Sequence, residues 1–131
     1  MFYLLHHDTY QCVNFQAIIG ITENKNGIYE LLFNYYKQNL KLNPNMTFEN
    51  SHDNIKIYSI SEENYDYLLD NINNKRDKID KNLKQLNFTH ESQQSYFIYV
   101  ILNNDGNKYD IFNKKFHTKY DEIIENSQLI I

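Results

Sequence analysis

The chain begins MFYLLHHD, and His6, His7 and Asp8 in that stretch are the side chains whose types and spacing suggest chemistry. Histidine titrates near neutral pH, so two of them beside a carboxylate suit a metal site or a general-base pair. The plain alternative is the polar end of an edge strand. Neighbours in a strand point to opposite faces, so His6 and His7 together cannot readily hold one ion. His6 and Asp8 share a face, and a hydrogen-bonded pair is expected there, with His7 turned to the other side. As metal ligands His6 and Asp8 lack a second histidine cluster at ligand spacing. His52-Asp53 could join them in three dimensions. No metal and no cofactor is expected.

A hydrolytic or nuclease reading draws on His7, His52 and His117 as acid and base, with a lysine such as Lys115 against a developing phosphate charge. These residues are scattered over unrelated polar segments. The chain has no HExxH, no glycine-rich phosphate loop, no nucleophile elbow and no CxxC pair. Cys12, the single cysteine, has no basic neighbour and reads as a small core or surface residue. No motif here identifies an enzyme.

Two further features point to binding. The segment 75–84 holds five basic residues against two acids in a chain of net charge −4. On a helix, Lys78, Lys81 and Lys84 fall roughly on one side and, with Arg76, would suit phosphates or an acidic protein surface. The plain reading is a solvated helix face. Twelve tyrosines are the other feature, with rings at Tyr35-Tyr36, Tyr65 and Tyr67, and Tyr96 and Tyr99. Tyrosine is enriched at protein interfaces and can also stack on bases, although rings beside apolar stripes most often border a core.

The elements that must position these residues follow from periodicity. Residues 2–6 and 13–21 read as strands, the second nearly continuously apolar at its end and therefore covered. Thr22 is a reasonable N-cap for an amphipathic helix over about 24–39, with Ile28, Leu31, Leu32, Tyr35 and Tyr36 on its apolar side. Gly27 falls in its first turn and would delay the start. Residues 41–53 read as a polar loop and 54–60 as an alternating strand. Ser61 then opens a capping box with Asn64 in the glutamate position. The helix that follows either runs on to residue 86, projecting from the domain, or breaks at 71–74 into a helical hairpin. Residues 95–102, SYFIYVIL, are the strongest strand signal. Asp105-Gly106 is the strongest turn, with 108–112 returning as a partner strand. A helix over about 114–126 and a frayed tail close the chain.

The order is thus β-β-α-β-α-β-β-α, an α+β arrangement with helices packed on one face of a small, mostly antiparallel sheet. One domain is expected over residues 1–131. One cysteine excludes an intrachain disulfide and fits a cytoplasmic setting. No basic-then-apolar leader opens the chain, and no apolar stretch approaches membrane-spanning length. The acidic balance disfavours non-specific nucleic-acid binding. Abundant Asn, Lys, Ile and Tyr follow the codons of an AT-rich genome, and the sequons at Asn45 and Asn87 follow from the abundant Asn.

Three strings, Tyr3-Leu4-Leu5-His6-His7, Ile19-Gly20-Ile21 and Ile55-Lys56-Ile57-Tyr58, resemble small uncharacterised bacterial domains that open with a Tyr-Leu-Leu-His-His strand. The resemblance covers the first half of the chain. It departs most in the loop before Asn54, and residues 62–131 lie outside it. It implies β-β-α-β for the first half and carries over no catalytic residue.

The expected function is binding of another protein, as an inhibitor, immunity or adaptor module. Tyr65, Tyr67, Arg76, Lys78, Lys81 and Lys84 are its expected contact residues, and a homodimer through the helix that begins at residue 62 is an expected accompaniment. The alternatives are a nucleic-acid binder or phosphoryl-transfer protein using the basic helix and the histidines, and a homo-oligomeric structural protein.

Overall fold

A computed structural model describes residues 1–9, 15–42, 55–75, 95–102 and 112–130. Strands β1 (Phe2–Thr9), β2 (Phe15–Thr22), β3 (Ile55–Ile60), β4 (Ser95–Leu102) and β5 (Gln128–Leu129) form one sheet in the order β4-β2-β1-β3-β5. Every pairing is antiparallel. Helices α1 (Lys25–Leu42), α2 (Glu62–Asn74) and α3 (Lys114–Asn126) pack against it. The α+β class, the antiparallel sheet and the packed helices are as the sequence implies.

The helices do not share one face, and here the expectation is corrected. On β1, Tyr3 and Leu5 belong to a cluster with Leu31 and Tyr35 of α1. Leu4 belongs to a second cluster with Tyr65, Leu68 and Ile72 of α2 and Phe116, Tyr120 and Ile123 of α3. Successive strand residues face opposite ways, so α1 covers one face and α2 with α3 the other. The physical reason lies in β1 and β2, where Tyr3-Leu4-Leu5 and Ala17-Ile18-Ile19 are all buried. Such runs need cover on both sides.

A bulge in β2 sets where α1 can lie. Leu5 pairs with Gly20 but His6 pairs with Ile18, so Ile19 is the extra residue. Gly20 then faces Leu31 of α1. A Cβ at Gly20 would come within 2.8 Å of Leu31 Cδ2 and overlap the Tyr96 carbonyl oxygen.

Local signals explain the helix ends. Asn24 caps α1, since its Oδ1 accepts from Gly27 N–H at 2.8 Å. Thr22 is not the cap, because it is still the last residue of β2, paired with Tyr3 and Ser95. Ser61 caps α2 by accepting from Asn64 N–H at 3.1 Å. Asn113 caps α3 by accepting from Phe116 N–H at 2.9 Å. Helix α2 ends at Asn74 with Lys75 as its C-cap, close to the expected break. Residues 76–86, and so the choice between a projecting helix and a hairpin, lie outside the described residues.

The tail is not frayed at 128–129. Tyr58 pairs with Leu129 and Ser59 with Gln128, and Ile130 N–H donates to the Ile57 carbonyl at 2.8 Å. The Asp105-Gly106 turn and most of the strand expected at 108–112 lie outside the described residues. Phe112 is described, and its ring stacks on Phe116 with centroids 4.0 Å apart.

Candidate functional site

The His6-Asp8 pair expected from strand alternation is formed, and it extends further. His6 Nε2 lies 2.8 Å from Asp8 Oδ1, and His6 Nδ1 lies 2.6 Å from the Tyr120 hydroxyl of α3. Asp8 Oδ2 lies 2.9 Å from Lys56 Nζ on the neighbouring strand. With a neutral imidazole the donors and acceptors resolve in one way. The hydrogen bond from His6 holds the Asp8 carboxyl well below the usual carboxylate range; burial opposes this and the bond from Lys56 adds to it. The ionised Asp8 therefore accepts from His6 Nε2–H. His6 Nδ1 then accepts from the Tyr120 hydroxyl. That hydroxyl keeps its proton, because complete burial, aided by the nearby Tyr58 and Asp8, raises its pKa well above the ordinary tyrosine value.

A Tyr-His-Asp chain of this kind can do chemistry only if a substrate reaches it. His6 is 1% exposed and Tyr120 is 0% exposed, and the Tyr58 and Tyr120 rings flank the imidazole. The chain meets solvent only at Asp8 and Lys56. Its evident role is to tie α3 to the middle of the sheet while satisfying every buried polar atom it contains.

His7 lies on the opposite face, under α1. Its Nε2 is 3.3 Å from the Tyr35 hydroxyl, and the two rings meet edge to face. Burial, with His6 adding to it, lowers its pKa. His117 sits on α3 beside Phe116, so the sheet stands between it and His7. These two histidines are not brought together, and His52 lies outside the described residues. Lys115 is exposed on α3. Among the described residues no group of three His, Cys, Asp or Glu side chains could hold a metal ion.

The residues expected to contact a partner fare differently. Tyr65 is 1% exposed and packs on Phe2 with centroids 4.9 Å apart. It is a core residue, and its burial pushes its hydroxyl pKa up. Tyr67 is half-buried, stacked on Phe116 with Lys119 over its ring. Arg76, Lys78, Lys81 and Lys84 lie outside the described residues.

Among the described residues the exposed aromatic surface is elsewhere. Tyr29 is 72% and Phe33 67% exposed, one turn apart on the outer side of α1. Neither is among the contact residues expected from the sequence. The available signal was that both fall on the face of the 24–39 helix opposite Leu31 and Tyr35, where a polar residue is the rule. No family model, no curated protein and no solved structure matches the chain.

Stability should depend on pH in two steps. His7 has a folded pKa below its unfolded value of 6.5, so the unfolded chain takes up the proton first. The stability from a neutral, buried His7 is complete above about pH 6.5 and falls as pH drops toward the folded pKa. Asp8 is also depressed, so its share is complete above about pH 4 and is lost on stronger acidification. A series of thermal melts is expected to show Tm falling below about pH 6.5 and falling again below about pH 4. His7→Gln should remove the first fall and leave the second. A Tm that is flat from pH 7 to pH 5 would contradict the assignment.

Proposed function

We propose that this chain is a non-catalytic protein-binding module that acts by occluding a partner's surface, as an inhibitor, immunity protein or adaptor does. The observation that carries the reading is the exposed pair Tyr29 and Phe33 on a well-anchored helix. Two large rings side by side, 72% and 67% exposed, make an apolar surface patch of the kind that marks interaction sites, and aromatic anchors are frequent hot spots at protein interfaces. The His6-Asp8-Tyr120 chain supports the same reading from the other side, since its imidazole and phenol are buried.

The test is affinity capture from source cells at about 0.15 M salt, with and without nuclease. The expected result is one protein in near-stoichiometric amount in both samples. Recovery of nucleic acid alone, or of proteins that vanish on nuclease treatment, would move the function to the basic segment 75–84 and overturn the reading.

A further inference from the structure

Helix α1 is locally basic in an acidic protein. It carries Lys25, Lys37 and Lys41 against Glu30, and the whole chain is −4. The positions 25, 29, 33 and 37 are spaced by four residues and form one stripe along the helix. All four are exposed. Two aromatic rings therefore occupy the middle of the stripe, and one lysine stands a turn beyond each end. From Lys25 to Lys37 the stripe is about 18 Å long. Among the described residues none of the four side chains makes a ring contact, hydrogen bond or ion pair. Glu30, the one acid of the helix, is half-buried on its flank.

From this pattern we infer that α1 docks, through Tyr29 and Phe33, into an apolar cleft on an acidic partner protein, with acidic groups facing Lys25 and Lys37. The inference rests on the protein-binding reading and names its surface and the partner's chemistry. Two buried rings remove roughly 300–500 Å² from water. That is about half of one side of a standard interface, so the stripe can be its centre. Rings one turn apart on a rigid helix fit the helix-in-groove mode of recognition. The lysines set orientation: a partner acidic enough to be repelled by the chain as a whole is drawn to α1 first.

The pattern also disfavours other occupants. A second copy laid antiparallel on α1 would pair Tyr29 with Phe33 but set Lys25 against Lys37 at both ends, which is repulsive. A membrane-surface helix needs a broad apolar face, whereas Leu31 and Tyr35 are committed to the core and only a narrow apolar strip faces out. Nucleic acid would gain about two phosphate contacts from these lysines, well short of the six or more that give firm binding.

The probe is a display library of randomised helical peptides selected on the full chain and counter-selected on Tyr29→Ser/Phe33→Ser. Both sites are exposed, so that variant should keep its fold and melt within a degree or two of wild type. Enriched peptides are expected to carry Asp or Glu on either side of an apolar pair. Their affinity should fall by at least tenfold or so on Phe33→Ser. It should fall by about three- to tenfold on Lys25→Glu/Lys37→Glu, which reads the charge term even if the aromatic variant misfolds.

Peptides without an acidic excess, peptides indifferent to Lys25→Glu/Lys37→Glu, or no enrichment at all would overturn the inference. So would flotation of the chain with vesicles of about one-third phosphatidylserine that is abolished by the same substitutions. Failure of this inference differs from failure of the binding reading. A stoichiometric protein captured equally by wild type and Tyr29→Ser/Phe33→Ser would leave the reading standing and remove α1 as its surface. Capture of no protein would remove both.

Discussion

Replacing Gly27 with alanine is expected to destabilise the protein by about 2–3 kcal/mol, although the same change in an exposed helix ordinarily stabilises by about 1 kcal/mol. The reversal comes from the packing of the first turn of α1 on the sheet. Thr22 and Ser95 sit side by side on β2 and β4, and their hydroxyls are 2.7 Å apart. Both residues are fully buried. Gly27 lies directly over this hydrogen bond, and an added Cβ would overlap Thr22 Oγ1 and Ser95 Oγ and press on Thr22 Cβ. The helix must then lift, or the hydroxyls must part. Lifting opens the contact between α1 and the sheet, and parting leaves two buried hydroxyls without each other at a cost of about 1–3 kcal/mol. Urea melts of wild type and Gly27→Ala give the difference. A variant as stable as wild type, or more stable, would show that the helix relaxes without loss and would remove the close approach from the account. Thr22→Ala/Gly27→Ala is the control: with the hydroxyl gone, the alanine at 27 should cost less than it does alone.

This position shows where a sequence runs out. Gly27 is visible as an oddity in the first turn, and the local rule reads it as a weak helix start. Its actual reason is the buried Thr22–Ser95 hydroxyl pair beneath it. Thr22 lies only five residues before, but the pairing that brings in Ser95 of β4, sixty-eight residues later, is in no local pattern. The elements themselves were legible. The bounds of β4 are legible because Ser95–Leu102 is a long, nearly continuous apolar run. α3 was legible because Phe116, Tyr120 and Ile123 repeat at helical spacing. The Ser61 cap was legible from capping chemistry, while three asparagines in a row of four marked 71–74 as only one of two possible ends for α2, the other being residue 86.

The side of the sheet on which each helix lies was only half legible. The buried runs in β1 and β2 called for cover on both faces, yet a count of helices cannot say which goes where. β5 was missed because two exposed residues carry no alternation to detect. Of the candidate site, the His6-Asp8 pair followed from period-two alternation alone. Its third member could not, since Tyr120 is separated from His6 by 114 residues. The aromatic stripe of α1 was missed for a different reason. Tyr29 and Phe33 fit a helix rich in rings, and only burial separates the rings that hold the fold from those that face out.

The buried chain itself supports the remaining large effect. His6→Leu is expected to cost about 3 kcal/mol, because it keeps the volume but leaves the Tyr120 hydroxyl orphaned in a fully buried position. Asp8 loses a partner too, but it is part-exposed and still paired with Lys56, so water and the ammonium soften that loss. Tyr120→Phe should cost less, about 1–2 kcal/mol, since it orphans only one acceptor, His6 Nδ1. The informative variant is the pair. In His6→Leu/Tyr120→Phe both ends of the 2.6 Å bond are apolar and the ring stack of α3 is preserved. The double variant should therefore be about 1–2 kcal/mol more stable than the sum of the single losses predicts. Equal and additive losses would mean that the hydroxyl and the imidazole are held by the packing around them and that the bond between them contributes nothing of its own. A positive coupling would locate the link between α3 and the sheet in that bond, and would make the most chemical-looking residues of this sequence part of its architecture.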